Sequence, residues 1–314
     1  MLPPLFILSL GLHCQSLRTP AHKRGMDVIC VGNLNYDISF HMSRVPDVHE
    51  KVRCEDATFS CGGSAGNTAC WLGSLGFEIE IRGAVGDDPF GHAQLQDLAS
   101  YHVNTEKVRK SGATGIAVIL VEGEAKRMIK FTGANKWIEI DKSLRDAHHI
   151  HLSSTPRTLV RDVITICEDT PLTLSWDPQE LLFPELVPHF DYLFINEDDV
   201  ERETGTKELV RAADTLAARC LVVTKNGGGC SIVTDERIDI PSLGYTAVDS
   251  TGAGDAFDAG FISGLLTQHD LEDCGILGTA ASSIKVQHQG ARGGICNRDD
   301  FNAFLQKHGL NLTL

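Results

Sequence analysis

Asp249-Ser250-Thr251-Gly252-Ala253-Gly254-Asp255-Ala256-Phe257 places small residues and one carboxylate where a loop turns into a helix. Phe257, Phe261, Ile262, Leu265 and Leu266 recur at spacings of three and four, so the segment after the glycines reads as a helix with one apolar face. Asp255 falls in its first turn. The glycines let backbone N–H groups approach a ligand closely, and the helix adds the positive end of its dipole. The stretch reads as an anion cradle with a base beside it, suited to a migrating phosphoryl group. For an isolated Gly-Asp pair, an acid that merely complements the helix dipole would be the better reading.

Outward from this stretch, from Asp27 onward, short apolar runs alternate with helix-like segments, the pattern of a mostly parallel sheet covered by helices. Strands are expected at 28–32, 79–84, 149–153, 172–176, 191–195, 220–224 and 230–233, with helices at 64–75, 90–101, 157–168, 207–219, 254–266 and 271–286. Residues 37–60 and 113–132 fit the alternation poorly. In the second, Ile116–Val121 and Met128–Phe131 flank Glu122-Gly123-Glu124 and read as a hairpin. The two stretches together are expected to form a small β lid on an α/β body spanning 26–314.

The 314 residues carry 28 Lys+Arg against 42 Asp+Glu, a net charge of −14, which disfavours long-range attraction to nucleic acid or an anionic membrane. A phosphorylated ligand would need a local site. Ten cysteines show neither a CxxC pair nor zinc-site spacing and read as reduced and mostly buried, a disulfide framework being the weaker alternative. Leu5–Leu12 is apolar but too short to span a bilayer and has no basic residue before it, unlike a signal peptide. Residues 1–25 are therefore expected to be a disordered or non-native extension, with Met26 a plausible initiator and the protein cytoplasmic.

The Thr-Gly-Ala-Gly-Asp run resembles the second signature of the ribokinase-like (PfkB) carbohydrate kinases. The resemblance implies a three-layer α/β fold, Gly252, Ala253 and Gly254 as the anion hole, and Asp255 as the base that takes a hydroxyl proton. Cys61-Gly62-Gly63-Ser64-Ala65-Gly66-Asn67-Thr68-Ala69 is similar to the family's first signature, implying substrate contacts at Gly63 and Asn67. Gly32-Asn33-Leu34-Asn35-Tyr36-Asp37 resembles the segment that holds sugar hydroxyls, through Asn35 and Asp37, and Gly133-Ala134-Asn135 a loop near the substrate. Without the resemblance, Asn35 and Asp37 would be ordinary turn residues.

Asn196-Glu197-Asp198-Asp199 looks like the family's Asn-x-x-Glu motif with Asp199 in place of Glu; it implies ATP contact at Asn196 and magnesium near Asp199, through water because the side chain is shorter. An acidic helix start competes for these residues. Val222–Cys230 resembles the strand and loop over the nucleotide phosphates, implying ATP contacts at Thr224, Lys225, Gly227 and Gly229. Asp249 and Thr251 match a stretch associated in some members with a monovalent cation such as K+.

Ribokinases carry Lys where Ser64 stands, and sugar-acid kinases an Arg that Asp177-Pro178-Gln179-Glu180 lacks. The Gly-Gly-Ser-x-x-Asn-Thr form and the Asp-Pro pair most resemble archaeal nucleoside kinases of this family. The expected activity is transfer of the ATP terminal phosphate to a primary hydroxyl of a nucleoside, with a simple sugar as the alternative acceptor. Phe40, Phe59 or Phe131 could stack on a base, and a homodimer through the lid is expected. A non-catalytic binding protein on the same fold would show a lost base or broken cradle; neither is seen.

Overall fold

The computed structural model describes residues 25–54, 56–123, 125–179 and 182–314, so the extension expected over 1–25 lies, but for Gly25, outside the described residues. Strand β1 (Val28–Gly32) sends Val28 and Cys30 into one apolar cluster and Ile29 and Val31 into another, as a strand between two helix layers must. The chain continues with β2 (Asn35–Met42), β3 (Asp56–Gly62), helix α1 (Ser64–Ser74), β4 (Ile79–Arg82), β5 (Ala84–Val85), α2 (Pro89–Ser100), β6 (Val103–Asn104) and β7 (Arg109–Lys110). A hairpin of β8 (Gly115–Glu122) and β9 (Ala125–Phe131) precedes β10 (His149–Ser153), α3 (Arg157–Cys167), β11 (Thr173–Asp177), β12 (Tyr192–Asn196), α4 (Glu197–Thr204) and α5 (Leu209–Leu216). Last come β13 (Leu221–Lys225), β14 (Gly229–Val233), β15 (Arg237–Ile240), α6 (Ala253–Leu266), α7 (Leu271–Lys285) and α8 (Arg298–Lys307).

The main sheet runs β15-β14-β13-β12-β11-β10-β1-β4-β6. It is parallel from β6 to β13, and β14 and β15 close one edge antiparallel. Helices α1, α2, α6, α7 and α8 contribute to the apolar cluster on one face and α3, α4 and α5 to the cluster on the other, giving three layers. From β1 the chain steps outward to β4 and β6 and then returns to β10 on the opposite side. That reversal opens a crevice at the carboxyl ends of β1 and β10, where ligands of open α/β sheets bind.

A second sheet, β3-β2-β8-β9, is formed by residues from both stretches that fit the alternation poorly. Its register separates two chemistries. Phe59, Ile38, Val118 and Ile129 are cross-strand partners on one face, while Ser60, Asp37, Ala117 and Lys130 are partners on the other.

Local differences from the expected elements have local causes. The strand expected at 79–84 breaks at Gly83, which passes against the Leu34 side chain. The helix expected at 207–219 is shorter, because the Glu208 side chain caps Val210 and Arg211 and Ala217 turns left-handed. The nine described cysteines are free thiols, six of them buried. No described helix is long and apolar enough to cross a membrane.

Helices α6 and α7 approach closely at glycines: a Cβ on Gly260 would sit 2.5 Å from the Leu277 carbonyl oxygen. Gly260→Ala is expected to force them apart and destabilise the protein by about 1–3 kcal/mol, read as a lower urea midpoint at unchanged m-value.

Candidate active site

A cleft of about 880 Å³ runs along the carboxyl ends of β11, β12 and β13, between the heads of α1 and α6 and the inner face of the small sheet. Every site residue expected from the sequence lines it except Asn135 and Asp249.

Gly252 is the N-cap of α6, with φ 78°, and a Cβ there would collide with the Ala291 carbonyl. Beside Gly254 there is open space, so the cleft reaches the helix backbone. The Ala253 N–H donates to the Ser250 carbonyl at 3.1 Å and is spent on the turn. Among the described residues no backbone carbonyl accepts from the N–H of Gly252, Gly254 or Asp255. These are orphan donors of a helix start. Of the expected trio, Ala253 is therefore corrected from a donor to part of the turn that supports the others, and the N–H of Asp255 joins them.

Asp255 is 5% exposed and accepts from Asn67 Nδ2 at 2.7 Å. Burial raises its carboxyl pKa to about 6, against the lowering effect of hydrogen bonds from Asn67 and Ser64. Asn67 in turn accepts from Arg292 Nε at 3.0 Å, and Arg292 also donates to the Gly62 carbonyl and to Asp97. Arg292 went unread in the sequence because nothing in Gly290-Ala291-Arg292 marks it and its partners lie far away in the chain.

The end of the cleft beside Asp255 is acidic. Burial pushes the Asp37 carboxyl to about 6, and burial followed by the charge of Asp255 pushes Asp177 to about 7. Asp258, one turn beyond Asp255 on α6, lies beneath them; burial and then Asp177 hold its pKa well above the carboxylate range. Its spacing of three from Asp255 was the sequence signal for it. His151 Nε2 is 3.6 Å from Asp258 Oδ2, and burial disfavours charge on both, pulling the imidazole down to about 3 and the carboxyl up. Asn135 belongs behind the site: its amide accepts from Leu34 N–H at 2.8 Å and donates to Leu34 O and to Asn35 Oδ1. It orients Asn35, and both of its N–H donors are used in doing so. The aromatic side chains expected to stack on a base also lie elsewhere, because Phe40, Phe59 and Phe131 take the outer face of the small sheet.

At the donor end, the Asn196 side chain caps α4 by accepting from the Asp199 N–H at 2.8 Å. Glu197 and Asp198 accept from the backbone and side chain of Asn226 and hold the 225–229 loop. The acidic cap and the 225–229 loop are thus one construction. Lys225 lines the cleft but donates to Asp239 at 2.9 Å. Asp199 pairs with Arg202, half of whose side chain is exposed, and a pair so solvated is weak enough to yield to a hydrated magnesium ion.

Asp249 differs from its expected role. Its carboxylate accepts from Thr251 N–H at 3.0 Å, Thr251 Oγ1 at 2.8 Å, Gly290 N–H at 2.9 Å and Lys126 Nζ at 3.1 Å, while its carbonyl accepts from Lys285 Nζ. Burial raises its pKa, but these hydrogen bonds outweigh that and hold it at about 2. A monovalent cation does not fit a position where ammonium groups already lie on both the carboxylate and the carbonyl.

Residues 26–297 match the pfkB family carbohydrate kinases, and the chain belongs to that family. It is similar to an ATP-dependent ribose-1-phosphate kinase of Halopiger xanaduensis, 29% identical over 84% of this chain and 93% of the relative. It is also similar to a nucleoside kinase of Methanocaldococcus jannaschii, 26% identical over 90% of this chain and 97% of the relative. The crystal structure of the nucleoside kinase from that organism superimposes with a TM-score of 0.81 at 25% identity, covering 90% of this chain and 99% of the other. The structure of an Arabidopsis thaliana ribokinase complexed with ribose and ATP shares the fold, with a TM-score of 0.83 at 24% identity and the same coverage. The three-layer body is thus a ribokinase-like fold, and the protein is a sugar or nucleoside kinase.

The raised carboxyl pKa values also bear on stability. Asp177 binds its proton more tightly folded than unfolded, so its stabilising contribution is full below about pH 4 and lost as the pH rises to about 7. Asp177→Asn is expected to raise the Tm by about 2 °C or more near pH 8 and to leave it unchanged near pH 4. Equal shifts at both pH values in thermal melts would contradict this.

Proposed function

We propose that the protein transfers the terminal phosphate of ATP to a primary hydroxyl of a ribose-containing acceptor, most specifically a nucleoside. The observation that carries this reading is the buried Asp255 carboxylate, fixed by Asn67 beside the open N–H groups at the head of α6. In this reading Asn35, Asp37, Gly63 and Asn67 hold the ribose, and Asp255 Oδ takes the proton as the hydroxyl oxygen attacks the phosphate. The N–H groups of Gly252, Gly254 and Asp255 receive the charge on the transferred group, stabilised further by the helix dipole. Thr224, Gly227 and Gly229 flank the ATP phosphates with Lys225. Asn196 fixes the α4 head, where Asp199 would accept from the water shell of a magnesium ion that neutralises phosphate charge.

A neutral acceptor suits an end of the cleft that holds Asp37, Asp177 and Asp255. Three of the relatives act, by name, on a nucleoside, ribose 1-phosphate or ribose, all built on one pentose, and another is a 6-phosphofructokinase. A second reading, ribose 1-phosphate, is favoured by Lys130, which lines the cleft on the same sheet face as Asp37 and would meet an acceptor phosphate. In either reading the small sheet is a lid that excludes water during transfer. Its outer face exposes Phe59, Ile129 and Phe131, which supports a homodimer formed through the lids.

A coupled ADP-release screen with purine and pyrimidine nucleosides, ribose, ribose 1-phosphate, fructose and hexose phosphates tests the acceptor. Nucleosides are expected to show the highest kcat/KM. Turnover of ribose 1-phosphate alone would select the second reading, and turnover of hexoses alone would overturn the ribose assignment.

A further inference from the structure

Lys285 ends α7, and its side chain is fully buried. A buried ammonium persists only among acceptors, and here its Nζ donates to the carbonyls of Asp249 at 2.8 Å and His288 at 3.0 Å. These carbonyls belong to two different loops, one leading into α6 and one following α7. The same loops are joined by Val248 N–H to the Val286 carbonyl at 2.7 Å and by Gly290 N–H to the Asp249 carboxylate at 2.9 Å. Their junction shapes the cradle at the head of α6, because the Ala291 carbonyl of the second loop packs directly on Gly252 of the first.

Converging backbone carbonyls are the ligands that replace the hydration shell of a monovalent cation. Here they meet a covalently attached cation at the end of a helix whose dipole favours positive charge. The partners of Lys285 are neutral carbonyls, so its charge is not cancelled by direct pairing with a carboxylate. The Asp249 carboxylate, beside it, is already served by Thr251, Gly290 and Lys126. The burial pattern of α7 marks the position in sequence: Gly278, Ala281 and Lys285 share one buried helical face on which a lysine is out of place.

We propose that the Lys285 ammonium is a built-in replacement for a monovalent cation, seated between the Asp249 and His288 carbonyls, and that this kinase consequently turns over without potassium. Lys285 is a positioning residue: it acts by fixing the two loops that set the N–H groups of the cradle. The consequence for turnover rests on the reading of Gly252–Asp255 as the phosphate site, whereas the cation seat itself does not.

The test compares wild type and Lys285→Met in potassium, ammonium, sodium and tetramethylammonium chlorides at equal ionic strength, recording substrate-free Tm and phosphoryl transfer. Wild type is expected to give the same Tm and kcat in potassium and tetramethylammonium. Lys285→Met is expected to lose roughly ten- to a hundred-fold in kcat in tetramethylammonium, as a displaced cradle would, and to regain turnover and Tm in potassium or ammonium. Potassium activation or stabilisation of wild type overturns the proposal, and so does a variant fully active in tetramethylammonium or a loss that no small cation relieves. If the variant does not fold, the wild-type salt exchange decides alone. If no acceptor turns over, the substrate-free Tm still tests the seat, separating its failure from failure of the cradle reading.

Discussion

The hydrogen bond from Asn67 to Asp255 joins two glycine-rich helix heads that lie 188 residues apart in the chain. Everything else in the cleft is arranged around that junction. Asn67 sits in the first turns of α1, and its other amide atom is held by Arg292, whose guanidinium reaches Gly62 and Asp97. The donated hydrogen bond favours the ionised carboxylate while burial opposes it, and the balance leaves Asp255 near 6. A base in that range is ionised at neutral pH yet retains a useful proton affinity. Removing a partner would leave a buried charge or polar group uncompensated, which is why the network closes on itself through Arg292.

Charges of both signs are placed locally along the cleft, although the chain as a whole carries a net −14. Carboxyls with raised pKa values crowd the acceptor end at Asp37, Asp177 and Asp255, with Asp258 beneath. Cationic side chains are set among and beyond them: Lys130 lines the cleft on the same sheet face as Asp37 and Arg292 holds Asn67, while Arg202 and Lys225 line the other end and Lys126 and Lys285 brace the loop before α6. A phosphate bound at the head of α6 would therefore draw on local dipoles and a few placed cations and not on the long-range field, which an acidic protein would set against an anion.

The three-layer body was legible because its central strands are buried on both faces and read as apolar runs, as Val28–Val31 and Leu221–Val223 do. The cradle was legible because Gly252, Gly254 and Asp255 are contiguous. The strands of the small sheet were only partly so: β9, Ala125–Phe131, is exposed along its whole length, and β2 pairs with β8 some 80 residues away. The supporting place of Asn135 behind the cleft was not legible, because its partners, Leu34 and Asn35, lie across the fold, whereas its neighbours Gly133 and Ala134 suggest only a loop. Lys225 lines the cleft as expected, but its pairing with Asp239, on the neighbouring edge of the sheet, has no signal in the sequence. In each case the deciding contact is long-range, and one-dimensional periodicity carries no record of it.

The central claim is that one carboxylate, Asp255, removes the acceptor proton beside the cradle. Single-turnover transfer from γ-labelled ATP, paired with calorimetric binding of acceptor and nucleotide, tests it in Asp255→Asn. The account predicts that the transfer rate falls by roughly 10²–10⁴ while both ligands still bind. An unchanged transfer rate in that variant would contradict it.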